Sequence, residues 1–426
     1  MTQTPLRYRS GLIGAAAVVV AVVALWLQGR VVPYTVPFWG LFDNQLDLGV
    51  YRDGALLVRR GGDLYNTPLH YGLDYTYSPF SALIMQPLGW VPFGVASVVW
   101  SAGILVALYA VVMLSLRSLG RTPTATLRIV AVALVAVLML IEPVRTTIWY
   151  GQINIFIMLV IIADLTRPDG ARFKGVGTGI VAGIKLTPMI FAVYCAVRRN
   201  RTATAGVLAG FAATVVVGFA VLPRDSWQYW TDKLFESERV GSARLRGNQS
   251  LRGMLANHLQ TTEPSTAWWL TLVAIALIAG FGAALYAHRR GQELLAITLI
   301  GMSSCAVSPM TWGHHWVWFV PLLVIGADLA LRTDLPTPAR LLSGAGTIAV
   351  FLVSFIWPTR IAKPYGEAYL VGLYVKDGIG GLQWFVVNHY LWVYAIAVVA
   401  TVGGLWWADR RRAGGRGDPA EMAPAV

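Results

Sequence analysis

Charge is scarce in this chain: only 13% of its 426 residues are Asp, Glu, Lys or Arg, whereas 56% are hydrophobic. No soluble arrangement hides that much apolar surface, so the composition excludes a soluble globular protein and requires an integral membrane one. Long polar stretches are missing too. Apolar runs about as long as a bilayer-spanning helix recur from end to end, which predicts one membrane domain over 1–408. The remaining 409–426, rich in Gly, Pro and Arg, is expected to be a disordered basic tail. Cysteine is nearly absent, and Cys195 and Cys305 both fall in apolar segments, which excludes a disulfide framework. A net charge of +13 invites nucleic acid as a partner, but no basic, aromatic-studded soluble module exists to carry it.

The basic residues instead sit in short clusters between apolar runs, the positive-inside pattern. Arg7 and Arg9, Arg117 to Arg128, Arg167 to Lys174, Arg198 to Arg201, Arg289 and Arg290, Arg332 and Arg340, and Arg410 to Arg412 are assigned to the cytoplasm. The first apolar run, Leu12 to Leu27, reads as a retained signal-anchor helix. Counting crossings then gives about twelve membrane segments in an all-α polytopic fold, with both termini cytoplasmic. Three outer segments are predicted, near 28–92, 223–265 and 358–389. The stretch 175–197 is flanked by basic clusters on both sides and contains Lys185, so it is read as a re-entrant hairpin broken at Ile184-Lys185-Leu186-Thr187-Pro188. That places Asp47, Glu142, Arg145, Tyr150, Lys185, the 223–265 loop and His314-His315 on one side of the membrane.

These residues carry the candidate chemistry. Asp47 is either an acidic residue at a helix start, stabilised by exposed amide N–H groups, or a general base for a sugar hydroxyl. Tyr51 follows it, beside an ordinary surface pair of Arg52 and Asp53. Tyr77 lies in an aromatic, proline-rich helix entry that suits interfacial anchoring or a sugar path. Glu142 and Arg145 have the spacing of a local ion pair, with Arg145 also placed for a phosphate. Tyr150 opens a run in which Gln152 and Asn154 need polar partners, from other helices or from a hydroxyl-rich substrate. Lys185 is an intramembrane charge and a phosphate ligand by default, with snorkelling as the alternative. Arg239, Arg252, Asn248 and Gln249 suit phosphate and sugar hydroxyls, or else a solvated loop. His314 and His315 have no carboxylate or Cys at ligand spacing, so a phosphate contact or proton transfer fits better than metal.

Seven ordered motifs carry a resemblance. Asp47-Leu48-x-Val50-Tyr51, Tyr77-Ser78-Pro79-Phe80, Glu142-Pro143-x-Arg145, Tyr150-Gly151-Gln152-Ile153-Asn154, Gly183-Ile184-Lys185-Leu186-Thr187-Pro188, Asn248-Gln249-Ser250-x-Arg252-Gly253 and Ser308-Pro309-x-x-Trp312-x-His314-His315-Trp316 run from about 47 to 318. Together they resemble the actinobacterial polyprenol-phosphate-mannose mannosyltransferases of glycosyltransferase family 87. The resemblance implies a GT-C fold, a polyprenyl-phosphate mannose donor and a glycolipid or lipoglycan acceptor at the outer face of the plasma membrane. It also implies an essential Asp, which maps onto Asp47. Lys185, His314, His315, Arg239 and Arg252 would then hold the donor phosphate, and Tyr51, Tyr77, Arg145, Tyr150, Gln152, Asn154, Asn248 and Gln249 would line the substrate. No metal or other cofactor is expected, because a polyprenyl phosphate is already a competent leaving group. The family also holds arabinofuranosyltransferases. A transporter or lipid flippase is a more distant alternative with similar helix numbers, but it needs a midplane site reachable from both sides.

Overall fold

A computed structural model describes residues 4–363, 366–378 and 380–414. The first helix, α1 (Thr4–Val31), leads to an irregular segment that carries α2 (Leu46–Arg59) and α3 (Pro79–Ile84). Next come α4 (Phe93–Ser118), α5 (Ala125–Leu138), α6 (Glu142–Tyr150) and α7 (Asn154–Leu165). The hairpin helices α8 (Val176–Ile184) and α9 (Ile190–Val197) precede α10 (Arg201–Val221), α11 (Pro223–Thr231) and α12 (Leu251–His258). The chain continues through α13 (Thr266–Arg289), α14 (Glu293–Val307), a 3-10 turn at Gly313–Trp318 and α15 (Phe319–Leu331). It ends with α16 (Thr337–Ser354), α17 (Gln383–Val387) and α18 (His389–Gly414).

Among the described residues, seven helices are long and apolar enough to cross a membrane, or eight if the bent pair α6–α7 counts as one span. Their outward faces carry Val98, Val106, Val216, Ile278 and Leu342, each more than 60% exposed, a surface compatible with lipid and not with water. The chain is therefore a multi-pass membrane protein. Further segments that the hydropathy pattern counts as crossings are shorter: α5, α7, α8, α9 and α14 have 14, 12, 9, 8 and 15 residues. A straight crossing takes about 20.

The break expected at 184–188 is present. Lys185 leaves the helix with extended backbone angles, and Pro188 follows in a 3-10 turn at Thr187–Met189. Lys174, just before α8, and Arg198, just after α9, both pair with Asp169, at 2.8 and 2.7 Å. Both helices therefore begin and end at one level, with Lys185 at the opposite tip. Gly175, Gly179 and Gly183, spaced by four, let α8 lie backbone to backbone along α10. A Cβ at Gly179 would come 2.2 Å from the Val207 carbonyl oxygen, and one at Gly183 would come 1.9 Å from Thr214 Oγ1.

Three expectations need correction. Glu142 and Arg145, expected as a local pair on the outer side, lie instead in the first turn of α6, a nine-residue helix bent by 117° from α7 and buried from Glu142 to Trp149. The 358–389 segment, read as a loop in an all-α fold, contains a two-stranded antiparallel hairpin, β1 (Pro358–Lys363) and β2 (Gly366–Val371), with Pro358 opposite Val371. Helix α18 continues to Gly414, beyond the predicted start of the tail at 409; the rest of that tail, 415–426, lies outside the described residues.

Candidate active site

Helix α2 brings Asp47 to the site because its N-terminus rests on the end of α6. The Gln45 amide donates to the Trp149 carbonyl at 2.8 Å, and its side-chain Nε2 donates to the Ile148 carbonyl at 2.8 Å. Gly151, left-handed at φ 69, ends α6 there, and a Cβ on it would strike Leu48 Cβ at 2.7 Å. Asp47 thus sits in the first turn of α2, partly buried, while the helix N-cap is Gln45. Burial raises its carboxyl to about 6, against the lowering effect of a Gln152 hydrogen bond and, when it is charged, of Lys185.

From Asp47 a polar chain runs inward. Gln152 bonds to Asp47, and its Oε1 takes the Tyr51 and Tyr77 hydroxyls at 3.1 and 3.2 Å and Asn154 Nδ2 at 3.4 Å. The two phenols are 2.9 Å apart, and burial holds both well above the ordinary tyrosine range, so they remain donors. Asn154 Oδ1 accepts from Lys185 Nζ at 3.0 Å, and Lys185 Nζ lies 2.8 Å from His315 Nε2. The Lys185 ammonium position is also 5.4 Å from the Tyr77 ring centroid. Seven candidate residues, Asp47, Tyr51, Tyr77, Gln152, Asn154, Lys185 and His315, are thus joined in one network.

The others occupy its surroundings. Tyr150 packs edge-on against His314 at 5.5 Å, and the His314 carbonyl accepts from Asn154 Nδ2 at 2.9 Å. Arg145 is fully buried; its Nη2 donates to the Trp39 carbonyl at 2.7 Å and its guanidinium lies over Trp149. The predicted Glu142–Arg145 ion pair does not form. Glu142 is instead held by Thr146 one turn on at 3.0 Å and by Tyr390 at 2.6 Å and Tyr374 at 2.8 Å, the two tyrosines lying too far along the chain to be read from sequence. It also packs against Gly313, where a Cβ would come 2.2 Å from Glu142 Oε2, so it seats the turn bearing the histidines.

Asn248 and Gln249 are buried in scaffolding. Asn248 Oδ1 accepts from the Thr311 amide at 3.0 Å, and Gln249 Nε2 donates to the Arg246 and Val387 carbonyls. Arg239 pairs with Asp74 at 3.3 Å and donates to the Tyr65 carbonyl, while Arg252 lies over the Trp269 ring. Two residues absent from the predicted set, Thr187 and Cys305, line a cleft beside Lys185. Lys185, Asn154 and His315 line it together with the apolar Ile157, Met158, Ile161, Phe191 and Trp318. Nothing in the spacing of Cys305 within an apolar helix signals this. Among the described residues, no three His, Cys, Asp or Glu side chains converge as a metal-ligand set.

A carboxylate at one end of a polar chain and a lysine at the other can take a proton and hold an anion a few ångströms away, beside an apolar cleft. Comparison with known proteins narrows the chemistry. The profile of Glycosyltransferase family 87 matches residues 75–309. A polyprenol-phosphate-mannose-dependent alpha-(1-2)-phosphatidylinositol mannoside mannosyltransferase of Mycobacterium tuberculosis is 33% identical, covering 71% of this chain and 75% of its own. The corresponding pentamannoside mannosyltransferase of Mycolicibacterium smegmatis is 33% identical over 87% of each chain. An alpha-(1->3)-arabinofuranosyltransferase of Mycobacterium tuberculosis is 32% identical over 41% of this chain and 40% of its own. No solved structure matches. With the profile spanning over half its length and relatives a third identical along most of it, the chain belongs to glycosyltransferase family 87 and is a membrane glycosyltransferase.

Proposed function

We propose that this protein transfers mannose from polyprenyl-phosphate mannose to a phosphatidylinositol mannoside or a lipomannan-type acceptor, forming an α-1,2 linkage with inversion. The observation that carries this reading is the chain Asp47–Gln152–Asn154–Lys185–His315 beside a cleft lined both by polar groups, Lys185, Asn154 and His315 among them, and by apolar side chains. A prenyl phosphate has that same amphiphilic division. The acceptor hydroxyl attacks the anomeric carbon and its proton passes to Asp47. The C1–O bond breaks with its electron pair on the phosphate, whose second negative charge develops beside Lys185 and His315. Tyr51, Tyr77, Gln152 and Asn154 position sugar hydroxyls or the two charged ends, and Tyr150, Arg145 and His314 wall the site. The relatives named for polyprenol-phosphate-mannose and phosphatidylinositol mannosides support the donor and acceptor classes.

The same reading makes residues 1–408 a single GT-C domain of about twelve membrane segments, counting α5, α7, α14 and the two hairpin helices as crossings or half-crossings. Both termini then face the cytoplasm and the Asp47 site faces outward. The test is transfer by purified protein offered polyprenyl-phosphate mannose and polyprenyl-phosphate arabinose separately, with a short α-mannoside acceptor. Mannose transfer that disappears in Asp47→Asn supports the reading. Arabinose transfer would move the protein to the arabinofuranosyl branch, and turnover retained by Asp47→Asn would remove the base.

A further inference from the structure

The hydrogen bonds around His315 and Lys185 fix where the protons are. The Trp312 main-chain N–H donates to His315 Nδ1 at 3.1 Å. An amide N–H can only donate, so Nδ1 carries a lone pair and the ring proton sits on Nε2. That Nε2 faces Lys185 Nζ at 2.8 Å. Two donors cannot share a hydrogen bond, so the contact requires a lone pair on Nζ, which only a neutral amine has. The third partner agrees. Asn154 Nδ2 is committed to the His314 carbonyl, so its Oδ1 must be the atom facing Nζ, and an amine N–H satisfies it.

We propose that in the donor-free enzyme His315 is locked as the Nε2–H donor and Lys185 is a neutral amine, and that donor binding draws one proton from solvent onto Lys185. This rests on the reading that the donor phosphate enters at the Lys185 end. The phosphodiester arrives with one negative charge and accepts from His315 Nε2–H, which frees the Nζ lone pair to take the proton. The phosphate and ammonium charges then cancel before chemistry begins, while Asp47 remains the ionised base. When the C1–O bond breaks, the phosphate gains its second charge against an ammonium already in place, while the acceptor proton goes to Asp47.

The groups facing Lys185 allow this. Asp47 from α2 acts on it as a charge and has Gln152 as its hydrogen-bond partner, Tyr77 presents its ring, and Cys305 from α14 and the His314 ring beside His315 complete the surroundings. His315 is thereby excluded as the base, because its free ring nitrogen already holds the Trp312 amide.

Two measurements on the full-length protein in lipid nanodiscs test this. Nitrogen-15 NMR of histidine-labelled protein, assigned by comparison with His315→Gln, should show His315 protonated at Nε2 without any ligand; protonation at Nδ1 would overturn the proposal. Calorimetric titration with a short-chain prenyl-phosphate mannose, without acceptor, is run near pH 8.5 in buffers of different protonation heat. Uptake of about one proton per donor is expected, and the dissociation constant should rise about tenfold per pH unit from about 8 to 9.5. Lys185→Arg, always charged, should bind with no uptake and a flat profile. Donor binding without proton uptake in the unaltered protein, or equal uptake by Lys185→Arg, would overturn the proposal alone. Failure to bind any prenyl-phosphate sugar would overturn the donor assignment as well.

Discussion

Replacing Asp47 by Asn should make the protein more stable and nearly inactive at once. Burial lifts this carboxyl from an ordinary 3.8 to about 6. The folded protein thus binds that proton more tightly than the unfolded chain. The associated stability is fully present below the ordinary value and is lost as pH rises through about 6. Two pKa units correspond to about 3 kcal/mol. Because Asp47 is only partly buried, solvent screening reduces this to about 1–2 kcal/mol. Asn carries no charge, so at pH 7.5 Asp47→Asn should melt at higher temperature than the unaltered protein. Loss of a general base should lower turnover about 10²–10⁴-fold. The unaltered enzyme should follow the ionised fraction of Asp47, with turnover at pH 5 about one-tenth of that at pH 7.5. The assays are thermal unfolding in nanodiscs and single-turnover mannose transfer across pH 4.5–8. An Asn variant that melts lower, turnover within tenfold of the unaltered enzyme, or a rate unchanged between pH 5 and 7.5 would each refute the reasoning.

Gln152→Leu takes a hydrogen bond from Asp47 and an acceptor from Tyr51 and Tyr77, so the acid limb of the rate profile should move to higher pH and turnover should fall about 10–100-fold; an unmoved limb would separate Gln152 from the base. Gly179→Ala drives a Cβ into the Val207 main chain, which no second change removes, whereas Gly183→Ala strikes the Thr214 side chain. Thermal unfolding should therefore show rescue of Gly183→Ala by Thr214→Gly and none of Gly179→Ala by any single change on α10. Ile161→Trp fills the apolar part of the cleft beside Lys185 and should raise KM about tenfold or more for long-chain polyprenyl-phosphate mannose, leaving a C10 donor little affected; equal effects on both donors would place the chain elsewhere.

Much of the network is legible in sequence because its members come from short motifs that each hold two neighbours. Gln152 and Asn154 bracket one residue, Tyr51 lies one turn from Asp47, and Lys185 stands at a proline-marked break. Such local signals survive in a linear reading. Partners that meet only through folding are not visible: Glu142 finds Tyr374 and Tyr390 more than 230 residues away. Asn248 and Gln249 show the opposite failure. Polar residues in a loop look like substrate ligands, yet their amides close main-chain bonds between the 240s and Thr311 or Val387, which sequence does not place side by side. The short β1–β2 hairpin was illegible for a different reason, since Arg360 and Glu367 interrupt any clean alternation. The number of crossings is not legible in hydropathy, which measures apolarity and not helix length: α8 and α9 are apolar but only 9 and 8 residues long.

Lys185 hangs on a rod that is fastened at its far end. Lys174, Arg198, Asp169 and Glu293 clamp the base of the hairpin, and the glycine face of α8 glues its shaft to α10. At the tip, Asn154 and His315 add the contacts to Lys185 Nζ. Most of the mount lies away from the site, so changes in the outer loops need not displace the amine at the tip. A mount fastened at its far end is a route by which one scaffold can change the surroundings of its sugar while its phosphate contact stays where it was.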